Sequence, residues 1–534
     1  MKIEFVGGAR CVTGSCFIIK TDDFTVMVDR GMFQGKKVLR DRNYMKVIHS
    51  PGQIDALILT HAHIDHSGLI PKMVKEGFTK PIFATKATVD LCSIMLPDSA
   101  HIQEMDTEWI NKKNKKLGID PVEPLYTVKD AEASIQQFVP VNYNDMVDIV
   151  PGVKARYRDA GHILGSSFVE VWVEEKGKTT KIVFSGDVGS RDQAIIRNPE
   201  VAEDADILLI ESTYGNRLHK SKADTYEEFK NIINESYNLN GNIVIPAFAI
   251  ERTQEIIYTL GKLVKEGAIP KIPVYIDSPL AISATEIFRK NRECFDDEAK
   301  SVLLNGESPL DFDGLYFTRT TEESKRLNKE AKGAIIISAS GMCTAGRIKF
   351  HLQNNLYKPE SSIIFVGFQA EGTLGRQLVD GAKRVRVYGE DVVVNAKIHT
   401  LGGFSGHADR NGLIEWMRSI KKKEGLRVFI VHGEEKASLS FADTVKVEFN
   451  VDAYVPHWGE IVDVDTMEST YSDYSGAGVS HDFEGALNVL QGKLHVLVEK
   501  YQKAKKDQRS YDIEKFEHDI RDLSEMIDHM SEDV

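Results

Sequence analysis

His61, His63, Asp65 and His66 fall within six positions, in the stretch Asp55-Ala-Leu-Ile-Leu-Thr-His-Ala-His-Ile-Asp-His-Ser-Gly68. Imidazole nitrogens and carboxylate oxygens are the donors that a borderline cation such as Zn²⁺ selects. Four such side chains packed this closely cannot all face one ion, so the spacing predicts two. A single histidine at a strand end is ordinarily a capped polar residue. Three with an aspartate make a metal site.

Further segments end in residues of the same kind. Val26-Met-Val leads to Asp29, Arg158-Asp-Ala-Gly leads to His162, and Ser185-Gly leads to Asp187. Later come Phe404-Ser-Gly-His407 and Val431-His432-Gly. Together they suggest a two-metal hydrolytic centre. His61, His63 and His162 would hold one ion, Asp65, His66 and His432 the other, with Asp187 bridging. Two cations about 3.5–4 Å apart share a water, lower its pKa, and stabilise charge in an in-line displacement at phosphorus. Asp29 is expected to orient a ligand from behind. Expulsion of an alkoxide benefits from a proton donor, for which His407 is the candidate, its tautomer held by Glu211. The catalytic candidates are therefore His407, Glu211, Asp65 and Asp29. Two glycine-rich loops, 338–347 and 367–376, each end in an arginine at the expected start of a helix. Backbone N–H groups, the helix dipole and a guanidinium bind phosphate there. Ser340, Gly341, Arg347 and Arg376 are the candidate phosphate-binding residues.

The elements that position these residues are legible from hydrophobic patterning. The apolar run 56–59 predicts a buried strand, and ligands of open α/β sheets gather beyond the carboxyl ends of strands. Residues 1–205 are β-rich, interrupted at about 90–137 by a charged helical segment whose run Asn111-Lys-Lys-Asn-Lys-Lys reads as a solvated face. From 206 to 391 strands alternate with helices, which predicts a mostly parallel sheet. At 392–466 the metal-type residues return, so the second domain is expected to be an insertion into the first. In 467–534, Leu487, Leu490, Leu494 and Leu497, then Ile513, Phe516, Ile520 and Leu523, follow heptad-like spacing. They predict a helical hairpin or oligomerisation element.

Composition narrows the class. A chain of 534 residues supports two or three domains, and its 42% hydrophobic and 28% charged residues are those of a globular protein. No apolar run reaches the roughly 18 residues of a membrane span. The N-terminus reads as a first strand with no signal pattern. Five scattered cysteines without CxxC spacing predict reduced thiols and a cytoplasmic location. The net charge of −13 argues weakly against a polyanionic partner. Residues 507–534 alone carry −7, and a metal cluster adds positive charge that the sum omits.

His61-Ala-His-Ile-Asp-His66 with His162 and Asp187 resembles the metallo-β-lactamase superfamily. Glu211-Ser-Thr-Tyr-Gly, Ser405-Gly-His407 and Val431-His432-Gly resemble the additional motifs of its β-CASP branch, over about residues 1–465. The resemblance implies an αββα sandwich with an inserted α/β domain, two zinc ions per chain, and hydrolysis of single-stranded RNA. It also implies that loops of the inserted domain grip the RNA backbone, and with the C-terminal seam it suggests a homodimer. His432 is similar to the residue of RNA-acting members. Three other readings exist: a small-molecule ester or thioester hydrolase, a di-iron oxidoreductase, and a non-catalytic subunit of an RNA-processing complex. The inserted domain disfavours the first, His63 in place of glutamate the second, and the complete ligand set the third.

Overall fold

The structure, a computed structural model, describes residues 1–45 and 50–472. The helical hairpin expected in 467–534 lies, from 473 onward, outside the described residues.

Two sheets form the frame. The first runs Ser469–Tyr471, Glu460–Asp463, Lys2–Gly7, Cys16–Lys20, Thr25–Val28, Ala56–Ile58, Ile82–Thr85, Phe138–Val141. The second runs Ala453–Tyr454, Lys421–Val431, Asp204–Glu211, Lys178–Phe184, Ser167–Glu175, Val153–Asp159, Met146–Val150. Successive strand side chains point to opposite faces, and this alternation builds the layers. Ile207 and Leu209 enter the core between the sheets with Phe5, Phe17 and Val26. Leu208 and Ile210 turn outward to join Leu413, Trp416 and Phe441 of the helices Arg410–Arg418 and Glu435–Phe449. Met27 and Leu57 of the first sheet likewise join Leu91 and Met95 of the helix Lys86–Leu117. The result is helix, sheet, sheet, helix. Strands from both ends of the chain share each sheet, which is what an insertion requires.

The inserted segment has a sheet of its own, ordered Leu315–Phe317, Val274–Ile276, Ile335–Ser338, Ile243–Pro246, Ser362–Phe365, Lys397–Thr400, and every pairing in it is parallel. Helices cover both faces, as a parallel sheet demands. Ile245 and Ile337 join one apolar cluster with Ile256 and Leu260 of the helix Arg252–Lys265, while Val244 and Phe365 join Ile348 and Leu352 of the helix Ile348–Asn355 in another. The first of these clusters also contains Leu57, Leu91 and Met95 of the metallo-domain, so the two domains share a continuous apolar core.

Three boundaries differ from the sequence reading. The sequence starts the inserted domain at 206, yet Asp204–Glu211 pairs with Lys178–Phe184 and Lys421–Val431 in the second sheet. The sequence places the return to the first domain at 392, yet Lys397–Thr400 still pairs with Ser362–Phe365. The chain leaves the inserted sheet after Thr400. Likewise the first sheet continues past 466, because Ser469–Tyr471 pairs with Glu460–Asp463.

Close backbone packing ties the sheet to the first histidine segment. Arg30 N–H donates to the His66 carbonyl at 2.7 Å, Met32 N–H to Ile64 at 2.9 Å, and Ser15 N–H to Asp65 at 2.8 Å. Between them sits Gly31, where a Cβ would lie 1.7 Å from the Asp65 carbonyl oxygen. Gly31→Ala is expected to force these segments apart, lowering stability by about 1–3 kcal/mol and bound metal together. Calorimetry with elemental analysis checks this; an unchanged melting temperature and metal content would contradict it.

Candidate metal centre

The strand Ala56–Ile58 is fully buried between two parallel neighbours, and its chain emerges at the carboxyl end as Leu59-Thr-His-Ala-His. His63 occupies the N-cap position of the short helix Ile64–Ser67, which carries Asp65 and His66. Asp187 follows Lys178–Phe184 and His162 follows Val153–Asp159. His432 follows Lys421–Val431 with φ +47, and Asp29 follows Thr25–Val28 with φ +60. Both are held in the left-handed region that non-glycine residues seldom occupy.

Asp187 is the hub. Its Oδ2 lies 3.4 Å from His61 Nε2 and 3.5 Å from His162 Nε2. Its Oδ1 lies 3.3 Å from His66 Nε2 and 3.4 Å from His432 Nε2. Each oxygen of one buried carboxylate thus faces a different pair of imidazoles. His63 Nδ1 joins the first set, 3.2 Å from His162 Nε2, and Asp65 Oδ2 joins the second, 3.9 Å from His432 Nε2. In each of the sets His61, His63, His162, Asp187 and Asp65, His66, His432, one donor atom per residue lies within 4.8 Å of the others.

The donor set fits divalent cations. His61 Nε2, His66 Nε2 and Asp187 Oδ1 are buried without a hydrogen-bond partner, an expensive condition unless an ion satisfies them. Burial holds His63 and His162 well below the usual imidazole range and brings His432 down to about 3, so their lone pairs are available. Burial opposes charge on Asp187, yet His432, His66 and His61 outweigh it and keep the carboxyl well below its usual range. Burial also opposes charge on His66, but Asp187 and Asp29 overcome it and hold the ring well above its usual value. Burial raises Asp65.

The ligands are held from behind. Asp29 Oδ2 lies 2.7 Å from His66 Nδ1 and accepts from the Thr60 hydroxyl at 2.9 Å; Thr60 Oγ1 also lies 3.1 Å from His61 Nδ1. Ser15 Oγ lies 2.7 Å from His432 Nδ1. Such contacts fix ring orientation and tautomer. Ser15 and Thr60 went unnoticed in the sequence, since a single hydroxyl has no telling spacing. Thr60 could have been found as the residue between the strand and His61.

His407 and Glu211 form a third group with Asp187. His407 Nδ1 lies 3.2 and 3.3 Å from the Glu211 oxygens and 3.9 Å from Asp187 Oδ2. Glu211 is fully buried, and its Oε1 also accepts the Val188 N–H at 2.6 Å. Burial works against charge on His407, but Glu211 and Asp187 raise its pKa to about 9.

The inserted domain reaches this centre by a turn that sequence reading passed over as a helix start. Glu251, at φ +66, accepts the Leu164 N–H at 2.8 Å, two residues beyond His162. Arg252 pairs with Glu255, and its Nη2 lies 2.8 Å from where a Cβ on Gly406 would be. The loops bearing His162 and His407 are therefore both buttressed from the second domain.

The candidate phosphate residues are occupied differently from the sequence expectation. Arg347 does precede the helix Ile348–Asn355, but its guanidinium donates to Asp277 at 2.6 Å and to the Thr318 and Arg319 carbonyls. It braces the sheet edge. Arg376 lies inside the helix Leu374–Val379 and pairs with Asp380 at 2.9 Å. Ser340 Oγ accepts the Thr344 and Ala345 N–H groups of its own loop, and the Gly341 carbonyl accepts from Gln369.

Three family descriptions match the chain: metallo-beta-lactamase superfamily over residues 9–89, Beta-Casp domain over 253–378, and Zn-dependent metallo-hydrolase RNA specificity domain over 391–456. Among curated proteins it is similar to Ribonuclease TTHA0252 of Thermus thermophilus, 35% identical over 440 residues, 82% of this chain and 95% of the relative. It is also similar to Transcription termination factor FttA of Methanocaldococcus jannaschii, 30% identical over 466 residues, 85% of this chain and 70% of the relative. The corresponding factor of Thermococcus kodakarensis is 30% identical over 480 residues, covering 86% and 70%.

Asp29→Asn is expected to weaken metal binding about 10–100-fold, because the His66 ring loses its anionic partner. Competition with a chromophoric chelator measures this; an unchanged affinity would contradict the assigned role.

Proposed function

This chain belongs to the β-CASP branch of the metallo-β-lactamase superfamily, and from that premise we propose that it is a zinc-dependent ribonuclease. It hydrolyses phosphodiester bonds of single-stranded RNA using two ions, with His407 as general acid. The observation that carries this reading is the shared Asp187 carboxylate with the Glu211–His407 pair at its edge. The matching RNA specificity domain and the relative named as a ribonuclease support RNA as substrate.

His61, His63 and His162 would hold one ion and Asp65, His66 and His432 the other, with Asp187 within reach of both sets. Cations bound there would acidify a water to neutral pKa and offset charge on the phosphoryl oxygens. The chain's own residues do the rest. Asp29, Thr60 and Ser15 keep the imidazoles aimed. Glu211, immobilised by the Val188 N–H, accepts from His407 Nδ1 and so presents Nε2 as the donor. That nitrogen delivers a proton to the departing ribose oxygen as the P–O bond breaks. At 18% side-chain exposure His407 is more open than Glu211 or Asp187, which suits a residue that must meet substrate.

Cleavage of 5′- and 3′-labelled single-stranded RNA tests the proposal. Wild type is expected to cut, chelation to abolish cutting, and His407→Ala to lower kcat about 10²–10⁴-fold with metal content unchanged. Intact RNA after exposure to the fully metal-loaded wild type would overturn the reading, and full activity in His407→Ala would remove the acid.

A further inference from the structure

The inserted domain carries an exposed aromatic pair that this chemistry does not use. Phe350 lies on the helix Ile348–Asn355 and Tyr388 at the tip of the hairpin formed by Arg384–Val387 and Glu390–Val393. Their ring centroids are 4.5 Å apart with planes 32° from parallel, and the residues are 47% and 48% exposed. The Lys349 ammonium stands 4.5 Å from the Tyr388 ring centroid. The domain's core does not account for the pair. Ile348, Leu352, Val385 and Val387 form the apolar cluster beneath, and strand alternation turns Arg384 and Arg386 outward. The acids of the hairpin are partly committed: Glu390 accepts from Gln353 at 2.6 Å, and Asp391 is the cross-strand partner of Arg386.

A single loop joins this face to the metal centre. The Phe248 ring lies 6.3 Å from that of His63, centroid to centroid. Phe248 packs so closely on Gly341 and Gly367 that a Cβ at either would meet the ring at 2.9 or 3.3 Å. Five residues beyond Gly341, the carbonyl of Gly346 is reached by the Tyr388 hydroxyl at 3.5 Å. Half-buried Phe248 and the exposed pair thus mark the inner and outer ends of one loop.

We propose that Phe350 and Tyr388 are a stacking platform for bases of the single-stranded RNA substrate, away from the scissile phosphate, with Lys349, Arg384 and Arg386 meeting its backbone. The proposal rests on the ribonuclease reading above. Every base has a π-face, so stacked aromatics grip a single strand without regard to sequence, and neighbouring cations add a salt-dependent attraction to phosphate. Continuity with the loop beside His63 favours a strand leading to the centre over a protein partner. Such a platform also reconciles a chain of net charge −13 with a polyanionic substrate, because the attraction is local.

The test uses the full metal-loaded chain in a His407→Ala background, so that bound RNA survives. Affinity for oligouridylate of about 20 nucleotides and for a trinucleotide is measured by fluorescence anisotropy. Phe350→Ala/Tyr388→Ala is expected to weaken binding of the long RNA about tenfold and to leave the trinucleotide unaffected. In a separate Tyr388→Trp variant, the indole fluorescence is expected to be quenched by the long RNA, a readout that needs no stability match with the double variant. Unaltered affinity for the long RNA in the double variant, or no quenching, overturns the platform and leaves this face to a protein partner, with the ribonuclease reading intact. If the His407→Ala parent binds no RNA and wild type cuts none, both readings fall.

Discussion

Everything at the centre depends on one buried carboxylate that faces two sets of imidazoles at once. Asp187 is 1% exposed and has four histidine nitrogens within 3.3–3.5 Å of its two oxygens. Isolated in a low-dielectric interior, an anion and the unpartnered Nε2 atoms of His61 and His66 would cost several kcal/mol. Divalent cations bound there would turn that cost into binding energy. Asp29, Thr60 and Ser15 hold the donors in place from behind.

The sandwich supplies the positions. Parallel strands bring Asp29 and the His61 segment to the same end of one sheet, and the second sheet brings His162, Asp187, Glu211 and His432 to meet them. The shared apolar core then fixes the inserted domain against this end. Glu251 and Arg252 turn that packing into a functional constraint, since they bear on the loops of His162 and His407. The geometry of the centre is thereby tied to one relative placement of the two domains.

The residues gathered around Asp187 were legible in the sequence because their types are rare and they recur just beyond strand ends. Glu211, at the end of a strand, and His407, in a loop, stood out for their residue types. Ser15, Thr60 and Glu251 did not, because a hydroxyl or a helix-start glutamate is ordinary until its partner is known. Arg347 shows the opposite failure. Its local context was read correctly as a glycine-rich loop before a helix, but its charge answers to Asp277, 70 positions away in the chain. The strand Lys397–Thr400 was misplaced because the nearby histidines suggested a return to the metal domain, whereas pairing along the sheet edge decided the matter.

The central claim is that Asp187 is shared by two metal ions. Anomalous diffraction from crystals of the protein purified with zinc, collected on both sides of the zinc absorption edge, tests it most directly. The account predicts two peaks, one among His61, His63 and His162 on the Oδ2 side of Asp187, the other among Asp65, His66 and His432 on the Oδ1 side. A single fully occupied peak, or two peaks that leave Asp187 bound to only one of them, would contradict it.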